Sequence, residues 1–212
     1  MIYLLLSMTL FLAPTNPQLN EQSFPICPCH IRGTETQEII DTMFDIAFAE
    51  SSDRTRATLV GLAAPQIGIQ KRIILVDVAA TGVFTETEEP PLPQIREFIN
   101  PEILWRSDEM STWREGCYST SNVCGLVPRC NKVLIKAYDR HCNIITQEFS
   151  GYTARIFQHE IDHLDGIRFP DRIERDEDLH WVEESDIPSY RIQWANWPQK
   201  LTRAAWQKIK NG

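Results

Sequence analysis

The segment His159-Glu160-Ile161-Asp162-His163 sets two imidazoles four positions apart with a carboxylate between them. On a helix, residues i and i+4 share a face, so both rings can reach one metal ion while Glu160 stands beside the open position as a base. With five His and 17 Glu in 212 residues, an H-E-x-x-H arises by chance about 0.01 times. The bland alternative is a surface helix with two solvated histidines. Against it, the pair continues a face that already carries Tyr152 and Ile156, which turns the rings inward where unpaired polar groups are costly. A catalytic site with an open fourth position needs a third ligand. Asp165, Asp171, Glu174 and His180 lie downstream, but none stands at the spacing of the H-E-x-x-H peptidases, so the motif leaves that ligand open.

Several elements must position these groups. Gly151 opens the helix of the motif, with Tyr152, Ile156, His159 and His163 on one face. Residues 36–50 carry Ile39, Ile40, Met43, Ile46 and Ala47 at helical spacing, which predicts an amphipathic helix capped at Thr34 or Thr36. Residues 72–78 and 97–99 read as short strands, the second ending at Asn100-Pro101, and 132–138 with 144–149 form a hairpin around a turn at 139–143. Residues 14–28 and 79–93 are loops. Without regular βαβ alternation, the pattern predicts an α+β fold: mostly antiparallel short strands packed around a central helix carrying H-E-x-x-H, plus an N-terminal and a C-terminal helix. One catalytic domain is expected over residues 1–212. Its C-terminal extension, 175–212, is acidic and then rich in Trp (Trp194, Trp197, Trp206), which predicts a docked helix.

Composition narrows the function classes. With 42% hydrophobic and 24% charged residues the chain can bury a core, and collagen-like, coiled-coil and disordered readings are excluded. A formal charge of −8 argues against a surface that grips nucleic acid. Six cysteines (27, 29, 117, 124, 130 and 142) are expected as reduced thiols, with Cys27-Pro28-Cys29-His30 a minor candidate for a stray metal. No apolar run reaches the ~20 residues needed to cross a bilayer. The opening stretch 2–13 has the length of a signal's apolar part, yet no Lys or Arg precedes it and Pro14 follows directly. An apolar arm over 1–15, retained and lying against the body, is expected instead.

Three segments, in this order and at these separations, resemble the motifs of the peptide deformylases: Gly61-Leu62-Ala63-Ala64-Pro65-Gln66-Ile67-Gly68, Glu115-Gly116-Cys117-Tyr118-Ser119 and Gln158-His159-Glu160-Ile161-Asp162-His163-Leu164-Asp165-Gly166. Weaker similarity runs through Asn16-Pro17, Leu19, Pro25-Ile26, Val127-Pro128-Arg129 and Asp171-Arg172-Ile173, so that residues 16–175 are covered. The resemblance implies Cys117 as the third ligand beside His159 and His163, and Glu160 as the base. It implies the Gln66 side-chain amide and the Tyr118 backbone N–H as donors to the developing oxyanion, and Glu115 as the ion-pair partner of Arg129 that holds the cysteine loop.

Substrate contacts are expected at Val60, Gly61, Leu62, Trp113, Glu115, Gly116, Tyr152 and Ile156. Of these, Val60, Trp113, Tyr152 and Ile156 would line an apolar pocket for the first side chain, because they flank the motifs or share the helix face. The implied reaction is hydrolysis of the N-formyl group from formyl-methionine on newly made polypeptides, with Fe2+ as the native ion and Zn2+, Ni2+ or Co2+ as substitutes. The implied setting is a monomer near the ribosome, in the cytoplasm or an organellar matrix, with no membrane and no direct nucleic-acid contact. Leu59, Tyr118 and Cys124 depart from the family pattern, where glycine, leucine and arginine are usual. Leu59 and Tyr118 make possible one rival, a deformylase-like hydrolase of other N-acyl groups; a second is a non-catalytic relative that binds peptide or metal only, against which the joint retention of Gln66, Cys117, His159, Glu160 and His163 speaks.

Overall fold

The structure, a computed structural model, describes residues 10–48, 59–82 and 92–212. Residues 1–9 of the arm, 49–50 of the expected first helix and 83–91 of the expected loop lie outside it. In chain order the elements are α1 (Thr34–Ala47), β1 (Gly61–Ala63), β2 (Ile73–Asp77), β3 (Ile95–Arg106), β4 (Met110–Gly116), β5 (Val123–Cys130), β6 (Lys132–Tyr138), β7 (Ile144–Ser150), α2 (Gly151–Leu164), β8 (Leu179–Trp181), α3 (Ile187–Gln193) and α4 (Arg203–Asn211). The strands form two antiparallel sheets, β1-β2-β3-β6-β7 and β4-β5-β8. This is the expected α+β architecture.

Helix α2 is central in the literal sense. It packs on β1, β2, β6 and β7 of the larger sheet and on β5 of the smaller one, and all but its first two residues are buried. Strand β2 is buried along its whole length because its faces have different covers. Ile74 and Val76 join Ile156, Phe157, Ile161 and Leu164 of α2, whereas Ile73 and Leu75 join Ile40, Met43 and Ala47 of α1. Truncating a buried ring such as Phe157 to Ala would cost about 3–5 kcal/mol.

Four local expectations need correction. Helix α1 starts from Gly33, in an extended conformation with no side-chain cap; Thr36 is buried, and Gln37 Nε2 donates to Ile31 O at 2.8 Å instead. Strand β3 does not stop at Ile99. Asn100 takes a φ of 50° and the register shifts between Ile99 and Glu102, so that a bulge absorbs Pro101 and the strand continues to Arg106. The Asn100 amide fixes that bulge by accepting from Ile26 N at 2.8 Å and donating to Ile26 O at 2.7 Å.

The C-terminal tail docks as expected but as two helices, broken by Trp197-Pro198. Trp206 packs with Val123, Val127 and Phe169 on one face of the small sheet, while Tyr190 and Trp197 pack with Cys124 on the other. Finally, Cys27 and Cys29 are joined by a disulfide, with Cα atoms 5.3 Å apart around Pro28, so these two are neither reduced nor a metal-ligand pair. The other four cysteines are free. Among the described residues, no helix is long and apolar enough to cross a membrane.

Candidate active site

Cys117 lies between the end of β4 and a 3-10 turn at Tyr118–Thr120, and His159 and His163 lie on successive turns of α2. Their ligand atoms all fall within 4.8 Å of one another, and Cys117 Sγ is 3.3 Å from His163 Nε2. An ion bonded tetrahedrally at about 2.0–2.3 Å separates its donors by roughly 3.5 Å, so the set fits one ion with little movement. One sulfur and two imidazoles suit Fe2+, Zn2+, Ni2+ or Co2+ better than Mg2+ or Ca2+. Three of the four downstream alternatives are engaged elsewhere. Asp165 pairs with Arg72 at 2.7 Å, Asp171 accepts from Trp206 and Lys210, and His180 bonds Tyr190 and Lys200.

A buried network of charges holds the helix side. His159 Nδ1 and Glu115 Oε2 are 2.8 Å apart, which turns the other ring nitrogen toward the cysteine. Glu115 also accepts two bonds of 2.9 Å from Arg129 and one of 2.7 Å from Arg155. Arg129 in turn reaches Asp162 at 2.6 Å, and Asp162 accepts from Arg172 at 2.6 Å. Burial opposes the charge on Glu115, but the charge and hydrogen bonds of Arg129 together with those of His159 outweigh it and hold the carboxyl well below the usual range. Burial first, and then the neighbouring His159, Arg168 and Arg129, lower the His163 pKa, which favours the neutral ring that a metal ligand needs. The Glu115–Arg129 pair is the one expected from the sequence. Arg155 and Asp162 were not singled out, although Asp162 sits inside the H-E-x-x-H segment; nothing local marks either as a partner of the cysteine loop.

Glu160 differs from Glu115 although both are buried. Its Oε2 has no hydrogen-bond partner, and burial pushes its carboxyl up to about 7, near where a general base works best. Gly61 explains how the strand comes so close: a Cβ there would collide with Glu160 Oε1 and lie 2.8 Å from Ile156 Cγ2. Gln66 stands in the 3-10 turn Ala64–Ile67. Its Oε1 accepts from Ala63 N at 2.8 Å, which aims Nε2 at Cys117 Sγ and Ser119 Oγ, both 3.2 Å away.

A family model described as Polypeptide deformylase matches residues 9–178. The chain belongs to the peptide deformylase family. It is 41% identical over 140 residues to the peptide deformylase of Lachnoclostridium phytofermentans, an alignment covering 66% of this chain and 72% of that protein. The Heliobacterium modesticaldum peptide deformylase is 38% identical over 161 residues, 76% of this chain and 91% of its own. Among solved structures, the class I type b peptide deformylase of Acinetobacter baumannii with Met-Ala-Ser bound superposes with a TM-score of 0.66 at 30% identity, covering 77% of this chain and 96% of that one. A probable peptide deformylase from Synechococcus phage S-SSM7 gives 0.61 at 30% identity, over 77% and 98%.

Deformylase chemistry uses a divalent metal, and the Cys117, His159, His163 group is a candidate to hold it. The expected pocket is only partly assembled around that group. Ile156 is buried against Gly61, next to Val60, which is 40% exposed, and Tyr152 packs under the backbone of Gly82. Leu62 turns into the core beneath α1. The Trp113 ring meets Trp194 of the C-terminal tail, 5.1 Å between centroids. Tyr118 is exposed, and its ring stacks on Phe11. Cys124 is buried behind Gly116 and its thiol is pushed up to about 12, so it supplies no cation where the family usually has arginine.

Proposed function

We propose that this chain hydrolyses the N-formyl group of formyl-methionine at the start of newly made polypeptides, using Cys117, His159 and His163 to hold one divalent ion. The observation that carries this reading is the convergence of those three ligand atoms within 4.8 Å of one another, with Glu160 on the same helix and its Oε2 without a hydrogen-bond partner among the described residues. The bound ion would supply a water of lowered pKa and polarise the formyl carbonyl. Glu160 takes the proton of the attacking water while the water oxygen adds to the formyl carbon. The carbonyl oxygen then gathers negative charge, and Gln66 Nε2 and the Tyr118 peptide N–H donate to it. Glu160 passes its proton to the α-nitrogen as the C–N bond breaks, giving formate and a free amine.

The peptide is bound as an added strand. β1 and β4 are terminal strands of their sheets, and their glycines Gly61 and Gly116 leave the backbone accessible beside the metal group. Main-chain bonds to such edges give affinity without regard to sequence, as a processing enzyme requires. The first side chain enters an apolar site bordered by Val60, Trp113, Tyr152 and Ile156. Fe2+ is the resident ion, with Zn2+, Ni2+ and Co2+ as substitutes. We place the activity in a single-domain monomer acting near the ribosome, in the cytoplasm or an organellar matrix.

The test is formate release from formyl-Met, formyl-norleucine and formyl-Asp peptides by anaerobically purified protein and by Cys117→Ala. Rapid release from the first two, slow release from the third, and loss of both ion and activity in Cys117→Ala are expected. Comparable turnover of the Asp peptide, or of N-acetyl peptides, would favour a broader acyl hydrolase, and a Cys117→Ala protein that keeps its ion would remove the ligand assignment.

A further inference from the structure

The described chain begins with residues that carry no chemistry of their own, yet they touch both loops bearing the proposed oxyanion donors. Leu12 N–H donates to Gln66 O at 2.8 Å. The Phe11 ring stacks on Tyr118 with centroids 4.8 Å apart and planes 12° from parallel. Pro14 O accepts from Arg168 Nη1 at 2.6 Å, and that nitrogen also reaches Ser119 O at 3.1 Å. Arg168 is itself fully buried, its guanidinium 4.9 Å from the Trp206 ring.

These contacts answer a geometric need. Gln66 and Tyr118 sit in separate 3-10 turns, Ala64–Ile67 and Tyr118–Thr120, each too short to fix its own position. Two donors act together on one oxygen only if their separation is held to a fraction of an ångström, and a misplacement of about 1 Å can cost on the order of a hundredfold. One direct tie joins the turns, Gln66 Nε2 to Ser119 Oγ at 3.2 Å. The segment ahead of Thr15 adds a backbone bond to the first turn, a ring on the second, and an arginine that it shares with the second.

We propose that residues 11–14 form a brace, with Phe11 as its positioning residue, that sets the Tyr118 peptide N–H against the Gln66 amide. The inference rests on the deformylase mechanism above, in which those two groups stabilise the developing charge. It differs from a merely structural role in what it leaves alone. Two of the three proposed ligands, His159 and His163, stand on the buried helix α2, where Glu115 and Arg129 hold His159, so loosening the brace lowers kcat while ion content and KM stay put.

The experiment uses the full-length, metal-loaded protein with Phe11→Ala, Phe11→Tyr, Tyr118→Leu and the Phe11→Ala/Tyr118→Leu double variant. Measured are kcat and KM on a formyl-Met peptide, ions per chain, and the 1H–15N shift of the Tyr118 amide. A stacked pair of this kind predicts a two- to tenfold fall in kcat for Phe11→Ala, roughly. KM should stay within about a factor of two, ion content should be unchanged, and the Tyr118 amide should shift. Phe11→Tyr should restore all of these, and Phe11→Ala should cost less once Tyr118 is Leu. An unmoved Tyr118 amide, loss of the ion with kcat, or an equal penalty with and without the Tyr118 ring would overturn the brace. Should the wild-type protein release no formate, the deformylase reading fails by itself, and the amide shift still decides the brace.

Discussion

The helix-borne and loop-borne halves of the site are anchored by different forces. His159, Glu160 and His163 are fixed by a buried helix, and His159 is tied through Glu115 to two arginines inside the protein. Gln66 and the Tyr118 backbone sit in short turns held mostly by neutral contacts: Gln66 bonds to Ala63, Leu12 and Ser119, and the Phe11 ring lies on the exposed Tyr118 ring. Charge-assisted bonds in a water-poor interior resist distortion strongly, because breaking one strands a buried charge; neutral contacts near the surface do not. The two histidines are thus held more firmly than the turns that carry the proposed oxyanion donors, and Cys117 links the two halves.

The largest effect that sharpens this contrast is expected on the helix. Glu160→Gln should lower turnover by about two to four decades at unchanged metal content, as measured by single-turnover formate release with metal analysis, since only the base is lost. Parallel loss of the ion would make Glu160 a ligand and blur the division. On the loop side, Gln66→Leu should cost roughly 3 kcal/mol in the chemical step, about a hundredfold in kcat, again with the ion retained.

Glu115→Gln should do the reverse of Gln66→Leu, weakening metal affinity by about 10- to 100-fold in competition with a chelator, because the partner that orients His159 is weakened. A variant that loses rate at saturating metal but not affinity would break the comparison. The smallest effect concerns acid. His180 bonds Tyr190 at 3.0 Å and Lys200 at 2.9 Å, and burial, then the Lys200 charge, lower its pKa to about 4. Between about 6.5 and about 4 the unfolded chain takes up a proton that the folded chain refuses, so stability falls as pH falls through that window. Glu115, held far below the ordinary carboxylate range, stays charged throughout it. Amides of β8 should therefore exchange about tenfold faster at pH 5 than at pH 7, after correction for intrinsic rates.

The chemistry was legible in the sequence where it is local. H-E-x-x-H needs only a helical period to bring its imidazoles together, and the hairpin at 132–150 needs only alternation and a turn. Strands β1, β4 and β5 were not legible, because Gly, Pro and charged residues give them little intrinsic strand character, and β8, Leu179–Trp181, is too short to show a period. They become strands by pairing, as Trp113 does opposite Val127 and Gly116 opposite Cys124. Asn100-Pro101 misled for a related reason: the residues signal a break, but Ile26 on a distant segment satisfies the Asn100 amide and turns the break into a bulge.

Residue types and their spacing were enough to determine the helix that carries the two histidines and the glutamate between them, the α+β class and, through three motifs, the family. Tertiary structure alone decided that Arg155 and Asp162 belong to the cysteine loop's support, that Trp113 faces Trp194, and that Phe11 lies on Tyr118. Periodicity reports on neighbours within one element, where covalent geometry fixes the distance. Contacts between residues as far apart as 11 and 118 depend on how every intervening element packs, and no local pattern encodes that sum.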